Sequence, residues 1–253
     1  MRTALLTRSL IVLGFLAVGA DSPCHATDSV QGIVHTVEGR YHSSRSLKAV
    51  FLERYTEGRQ TVRVESGTVY FSHPGRMRWE YESPEEKLFL TDGKTAWFYV
   101  PSDHTVTRAP MKDSDDWRTP LALLTGKSNL SRVCRRIELE DKPSETPGNV
   151  ILRCWPAGSQ AGVSSSKATQ SLWGANQAPS LEQTGEIQEI LLEVDPREGW
   201  LASVQIRQSG GVEIEYRFGK WESNVELPET MFHFSAPKGV AIVEEGAAGH
   251  PLQ

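Results

Sequence analysis

The sequence predicts a mainly β protein with lid helices (α+β): an antiparallel sheet of about ten or eleven strands and two short α-helices. Three observations lead there. Short segments of period-two alternation fill most of the chain, turn residues separate them at hairpin spacing, and only two stretches carry helical periodicity. The chain has 253 residues, 27 Lys+Arg against 32 Asp+Glu, and a net charge of −5. That balance argues against nucleic acid as a partner, because a phosphate-binding surface needs a basic excess.

The first segment reads as an address. Arg2 and Arg8 precede an uncharged run from Leu10 to Ala20, too short to span a bilayer and suited to a signal h-region. Asp21 and Pro23 break it, and Cys24-His25-Ala26 offers small residues at −3 and −1, so cleavage is expected after Ala26. Residues 1–26 are thus read as a signal peptide and 27–253 as a single exported domain in an oxidising compartment. Lipidation of Cys24 is the alternative, but Asp21-Ser22-Pro23 lacks the Leu-then-small pattern of such sites.

Val30, Ile33, Val34, Val37 and Tyr41 then form one stripe of an amphipathic helix, with Asp28 or Ser29 as N-cap. Strands follow at 47–54, 61–72, 76–82, 87–91, 95–100 and 105–110, punctuated by Glu57-Gly58, His73-Pro74-Gly75, Ser83-Pro84, Asp92-Gly93 and Pro101-Ser102-Asp103. Trp117, Pro120, Leu121, Leu123 and Leu124 crowd into a second helix ending at Gly126. Strands at 132–139 and 149–155 flank a Pro-containing turn. A hairpin with Asp141 opposite Pro147 would set Cys134 directly opposite Cys154, which suggests a disulfide between them, two buried thiols being the alternative. Residues 156–184, rich in Gly, Ser, Ala and Gln, read as a mobile insertion loop within the domain. Strands resume at 186–194, 200–208 and 212–218, a last one at 232–235 leads into 240–243, and 245–253 reads as a disordered tail.

Met77, Trp79 and Tyr81 alternate with Arg76, Arg78, Glu80 and Glu82, so one strand face is aromatic and the other charged. Val69 and Phe71 continue the apolar face, as do Trp97 and Tyr99 or else Phe98 and Val100, whose parity is open. Leu88-Phe89-Leu90 is apolar on both faces, leaving its inward residue open. A face of this kind must be covered, and the two helices are the available cover. Either it is a filled core, or it is hollow and holds a ligand.

The run Phe71-Ser72-His73-Pro74-Gly75-Arg76-Met77-Arg78-Trp79-Glu80-Tyr81, followed by Thr91-Asp92-Gly93-Lys94-Thr95-Ala96-Trp97-Phe98-Tyr99, resembles the periplasmic outer-membrane lipoprotein carrier family (LolA-like). Ser46-Leu47-Lys48-Ala49-Val50-Phe51, Thr119-Pro120-Leu121-Ala122-Leu123-Leu124 and the segment from Phe232 to Val240 resemble other parts of that family. The resemblance implies an incomplete antiparallel β-barrel, a half-barrel, covering an apolar cavity closed by short α-helices. It implies acylated lipoproteins as cargo, an inner-membrane lipoprotein-releasing ABC transporter as donor, an outer-membrane acceptor lipoprotein, and a monomer. Cavity-lining roles fall on Val69, Phe71, Met77, Trp79, Tyr81, Phe89, Trp97 and Tyr99, and lid roles on Val30, Ile33, Val34, Val37, Leu121 and Leu124. Where the family commonly carries a basic pair before the Pro, with the Arg holding the lid, this chain has Ser72-His73; His73 is the candidate lid latch, sensitive to pH.

No G-x-S-x-G, H-E-x-x-H, P-loop or G-x-G-x-x-G motif occurs, and the histidines have no metal-site spacing. An enzyme, a metal and a cofactor are therefore not expected. Two further readings keep the fold and change the role: a periplasmic lipid-binding sensor or regulatory module, and a carrier of another lipid or glycolipid.

Overall fold

The computed structural model describes residues 29–111, 120–126, 129–157 and 186–244. The expected signal segment, almost all of the 156–184 loop, the tail at 245–253 and the Leu121 side chain lie outside the described residues.

Helix α1 spans Val30–Ser43, and Ser29 is its N-cap, its Oγ accepting the Gly32 N–H at 3.1 Å. The predicted stripe is the buried one: Ile33, Val34, Val37 and Tyr41 face the protein, with Val30 packed at their edge. Twelve strands follow among the described residues. They are β1 Ser46–Glu57, β2 Gln60–Ser72, β3 Arg76–Ser83, β4 Lys87–Thr91, β5 Thr95–Val100, β6 Thr105–Pro110, β7 Cys134–Leu139, β8 Val150–Pro156, β9 Ile187–Val194, β10 Leu201–Gln208, β11 Val212–Ser223 and β12 Ala241–Glu244.

All twelve belong to one open sheet, ordered β12-β6-β5-β4-β3-β2-β1-β11-β10-β9-β8-β7. The chain lays down one wing as a meander from β1 to β6 and the other from β7 to β11, and β11 then pairs with β1 at the centre. Its ends do not meet, so the sheet is an incomplete barrel, with α1 on the inner face. Tight turns set the registers. Gly58 and Arg59 (φ 54° and 73°) make the two-residue turn between β1 and β2, the left-handed pair that matches strand twist.

One pairing departs from the antiparallel expectation. The link from β11 to β12 is no hairpin but a long crossover, so β12 arrives beside β6 in parallel. The strand expected at 232–235 is also corrected. Residues Glu229–Phe232 form a 3-10 helix on the outer face of β3, where the Arg78 guanidinium donates to the Met231 carbonyl at 3.0 Å. Phe232 and Phe234 alternate because both rings turn onto the sheet, not because their backbone joins a ladder. The Arg76 guanidinium lies over the Phe232 ring, and Phe234 lies 5.6 Å from Tyr99.

The second helix is a 3-10 helix, Pro120–Thr125, and a short α-helix, α2 (Leu130–Val133), leads into β7. Cys134 and Cys154 are bridged, with Cα atoms 5.4 Å apart. They are not directly opposed as the simple hairpin implied. A bulge between Cys134 and Arg136 pairs Cys134 with Pro156 and Ile137 with Cys154, and the bridge runs diagonally.

Candidate functional site: the inner face beneath the lid

The period of two sends Leu47, Ala49 and Phe51 of β1, Val69 and Phe71 of β2, and Met77, Trp79 and Tyr81 of β3 to the inner face, all buried. Cross-strand register carries the same face onward. Trp79 pairs with Phe89 of β4, and Phe89 with Phe98 of β5. From the other wing, β11 adds Tyr216 and Phe218, opposite Glu53 and Phe51.

These rings form one continuous layer. Trp79 is its hub: its ring centroid lies 4.8 Å from Phe51, 5.5 Å from Tyr216, 6.0 Å from Phe71 and 6.2 Å from Phe218. Most of these contacts are edge-to-face, the arrangement the ring quadrupoles favour, each contributing about 0.5–1.5 kcal/mol beyond simple burial. A second aromatic group ties α1 down. Tyr41 lies 5.7 Å from Trp221 and 6.2 Å from Trp200, and its hydroxyl accepts the Leu201 N–H at 3.0 Å. Burial pushes the Tyr41 phenol well above its ordinary range.

Six of the expected lining residues therefore share this face: Val69, Phe71, Met77, Trp79, Tyr81 and Phe89. Trp97 and Tyr99 do not. The Asp92–Lys94 turn sets Thr91 against Ala96, which sends Ala96, Phe98 and Val100 inward and leaves Trp97 and Tyr99 outside, against Phe234. Of the residues expected in the lid, Ile33, Val34, Val37 and Leu124 are buried over the inner face, together with Leu123. Sequence reading missed Phe51, Tyr216 and Phe218, although their alternation within β1 and β11 was a usable signal.

The two helical segments over the inner face are attached differently. Helix α1 is held by Tyr41 and by Arg40, whose Nε donates to the Glu198 carbonyl at 2.7 Å while its guanidinium lies over Trp200. Glu38 of α1 accepts the Leu130 N–H at 2.7 Å. The 3-10 helix Pro120–Thr125 instead rests on the turn between β2 and β3. The Gly75 N–H donates to the Thr125 carbonyl at 3.3 Å, and the His73 ring donates to the Leu124 carbonyl. Gly126, at φ 68°, lies flat on that ring, and a Cβ there would come within 2.4 Å of His73 Cε1. The buried His73 Nε2 has no hydrogen-bond partner among the described residues. Burial, aided by the nearby His42, holds the His73 imidazole below its ordinary pKa, against the opposing effect of the Leu124 carbonyl.

Past the aromatic layer, away from the lid, the inner face becomes ionic. Glu53 follows Phe51 on β1, and Glu65 faces it from β2, only 5% and 4% exposed. The Tyr81 hydroxyl donates to Glu53 at 2.9 Å, Arg63 bonds Glu53 at 3.2 Å, and Lys87 bonds Glu65 at 2.7 Å. Arg63 also pairs with Glu65 at 3.1 Å. Burial pushes the Glu53 carboxyl up, with Arg63 opposing the shift, and burial together with Glu53 pushes the Tyr81 and Tyr216 phenols well up. Among the described residues no group of three or more His, Cys, Asp or Glu could hold a metal ion.

An open sheet with an aromatic inner face beneath short helices is the architecture of proteins that enclose an apolar ligand between sheet and helices. The family model described as outer membrane lipoprotein carrier protein LolA matches residues 42–152, which hold β1 to β6, the 3-10 helix, β7 and the start of β8. The chain is 26% identical over 227 residues to an outer-membrane lipoprotein carrier protein of Nitrosospira multiformis, covering 88% of this chain and 92% of that one. It is 25% identical over 252 residues to one of Cupriavidus taiwanensis, covering 97% and 100%. Among solved structures, an uncharacterized conserved protein from Thermus thermophilus shares the fold, with a TM-score of 0.50 at 13% identity over 86% of this chain and 99% of that one. The chain is LolA-like in sequence.

Proposed function

We propose that this chain is a periplasmic carrier that takes the acyl chains of lipoproteins beneath its lid and moves them from the inner to the outer membrane, without catalysis. The observation that carries the reading is the aromatic inner face lying under a 3-10 helix attached through His73 and Gly75. Burying an acyl chain there yields roughly 0.8 kcal/mol per CH₂ group. The aromatic layer is already packed against itself, so cargo must lift the lid and part the rings. That cost offsets part of the gain and keeps binding reversible. The names of the relatives support lipoproteins as cargo. An inner-membrane releasing transporter as donor, an outer-membrane acceptor and a monomeric carrier complete the proposal.

The test is recovery of the protein from the envelope with its cargo. Native purification followed by mass spectrometry should find a soluble complex with an acylated protein. Protein that never yields such a complex, in cells rich in lipoproteins, would contradict the carrier reading. A free lipid or glycolipid in its place would keep the site and change the cargo.

A further inference from the structure

Leu47, Ala49, Phe51, Glu53 and Tyr55 are consecutive inner-face positions of β1, running from the lid toward the hairpin that joins β1 to β2. The first three are apolar, and the fourth is a carboxylate. The same break occurs on β2 between Gly67 and Glu65, and Lys87 meets it at the start of β4. Tyr81 marks the boundary, its ring 5.0 Å from Phe51 and its hydroxyl on Glu53. Beyond the row, the Arg63 guanidinium covers the Tyr55 ring at 5.7 Å. Two buried carboxylates, Glu53 and Glu65, thus face each other on the inner face, and the partly buried Lys87 and Arg63 close on them from either side, where an aliphatic floor would have cost less desolvation.

We infer that the row formed by Glu53, Arg63, Glu65 and Lys87 is a chain-length stop, the point beyond which the alkyl tail of a cargo cannot advance and which therefore selects the longest acyl chain held. The inference rests on the carrier reading. The row's charges pair with one another, although the buried Arg63 Nε makes no aligned hydrogen bond among the described residues. A methyl terminus entering between them would separate paired charges without offering a hydrogen bond in return, which is unfavourable in a buried site. Above the row the tail meets mainly rings and aliphatic groups, which can part and repack around it, and the one buried hydroxyl of β4, Thr91, is already bonded to the Gly93 N–H. From Leu47 to Glu53 the strand rises about 20 Å. An extended alkyl chain advances about 1.25 Å per carbon from its bond length and angle, so the apolar span accepts about 16 carbons.

The experiment is a binding series with saturated fatty acids from decanoate to docosanoate, read by the tryptophan fluorescence of the folded protein. With the native chain, affinity should rise about fourfold per added carbon and stop rising near palmitate. The variant Glu53→Val/Arg63→Leu/Glu65→Val/Lys87→Met removes the four charges together, so that none is left buried and unpaired. Its limit should move to chains about five carbons longer, the length of one further inner-face step. A milder variant, Glu65→Val/Lys87→Met, keeps the Glu53–Arg63–Tyr81 group and should move the limit less; it serves if the fuller variant does not fold. Failure of the native protein to bind any of the acids would overturn the carrier reading itself. Binding that keeps rising through docosanoate, or the same limit in native protein and folded variant, would overturn the stop and leave the carrier reading standing.

Discussion

His73 links the turn between β2 and β3 to the 3-10 helix Pro120–Thr125, and the strength of that link depends on its proton. In the structure one ring nitrogen donates to the Leu124 carbonyl, Nε2 has no partner among the described residues, and Gly126 covers the ring. A second N–H would be buried without an acceptor, beside His42. The sign follows from the lowered pKa. Above about pH 6.5 the ring is neutral whether the lid is shut or open, and the latch has its full strength. As pH falls below that value, the freed ring takes up a proton that the latched ring resists, so opening becomes easier. Hydrogen exchange of the Gly75 amide, which the Thr125 carbonyl protects, should become faster relative to an unstructured amide between about pH 7.5 and about pH 5.5. His73→Gln should remove that pH dependence. A native protein whose Gly75 protection is the same at both values would show that His73 does not gate the lid.

The β2–β3 pair depends on a missing side chain. Gly67 lies on the inner face opposite Phe51, beside the register shift that brings β2 close to β3. A Cβ built there would stand 1.8 Å from the Glu80 carbonyl oxygen and 2.8 Å from its carbon, both backbone atoms that cannot swing aside. Gly67→Ala should therefore destabilise the protein by about 3 kcal/mol, seen as a lower urea midpoint with an unchanged slope. Gly39 is the contrast: it lies in the exposed side of α1 with nothing within 4 Å of a built Cβ. Gly39→Ala should stabilise by about 0.5–1 kcal/mol through helix propensity alone. Equal effects at the two positions would mean that the close approach of β2 and β3 is relaxed in solution.

The half-barrel is finished by a segment that belongs to neither wing. After β11 the chain crosses the outer face of β3 to β5, buries Phe232 to 1% exposure, and ends as β12 on the edge of β6. Leu90, which lies opposite Trp97 on that outer face, is fully buried as well. One wing thus carries an apolar layer on each side. The other wing's outer face is crossed by ion pairs, in which Arg207 and Arg153 both meet Glu189 and Arg54 and Arg217 both meet Glu215. Phe232→Ala should cost about 3 kcal/mol and release β12 before the rest of the sheet. Limited proteolysis would show cleavage between residues 224 and 240 in the variant at conditions that leave the native chain whole. Simultaneous loss of all strands would mean that the crossing segment folds as one unit with the barrel.

Alternation and turn residues were enough to read the sheet, α1 with its buried stripe, and the aromatic face of β3, because each depends on neighbours a few positions apart. The same local logic placed Val69, Phe71, Met77, Trp79 and Tyr81 together. It left the parity of β5 open, since the inward residues there follow from pairing with Phe89 and not from their own apolarity. It read Phe232 and Phe234 as a strand, since two rings spaced by two look alike on a ladder and on an irregular segment laid over a sheet. The diagonal disulfide, the parallel β12 and the ionic row of Glu53, Arg63, Glu65 and Lys87 depended on contacts between distant parts of the chain. Short-range pattern decides which face of a strand is greasy. Only the packed molecule decides which strand lies beside it, and so what a ligand entering that face would meet at the far end.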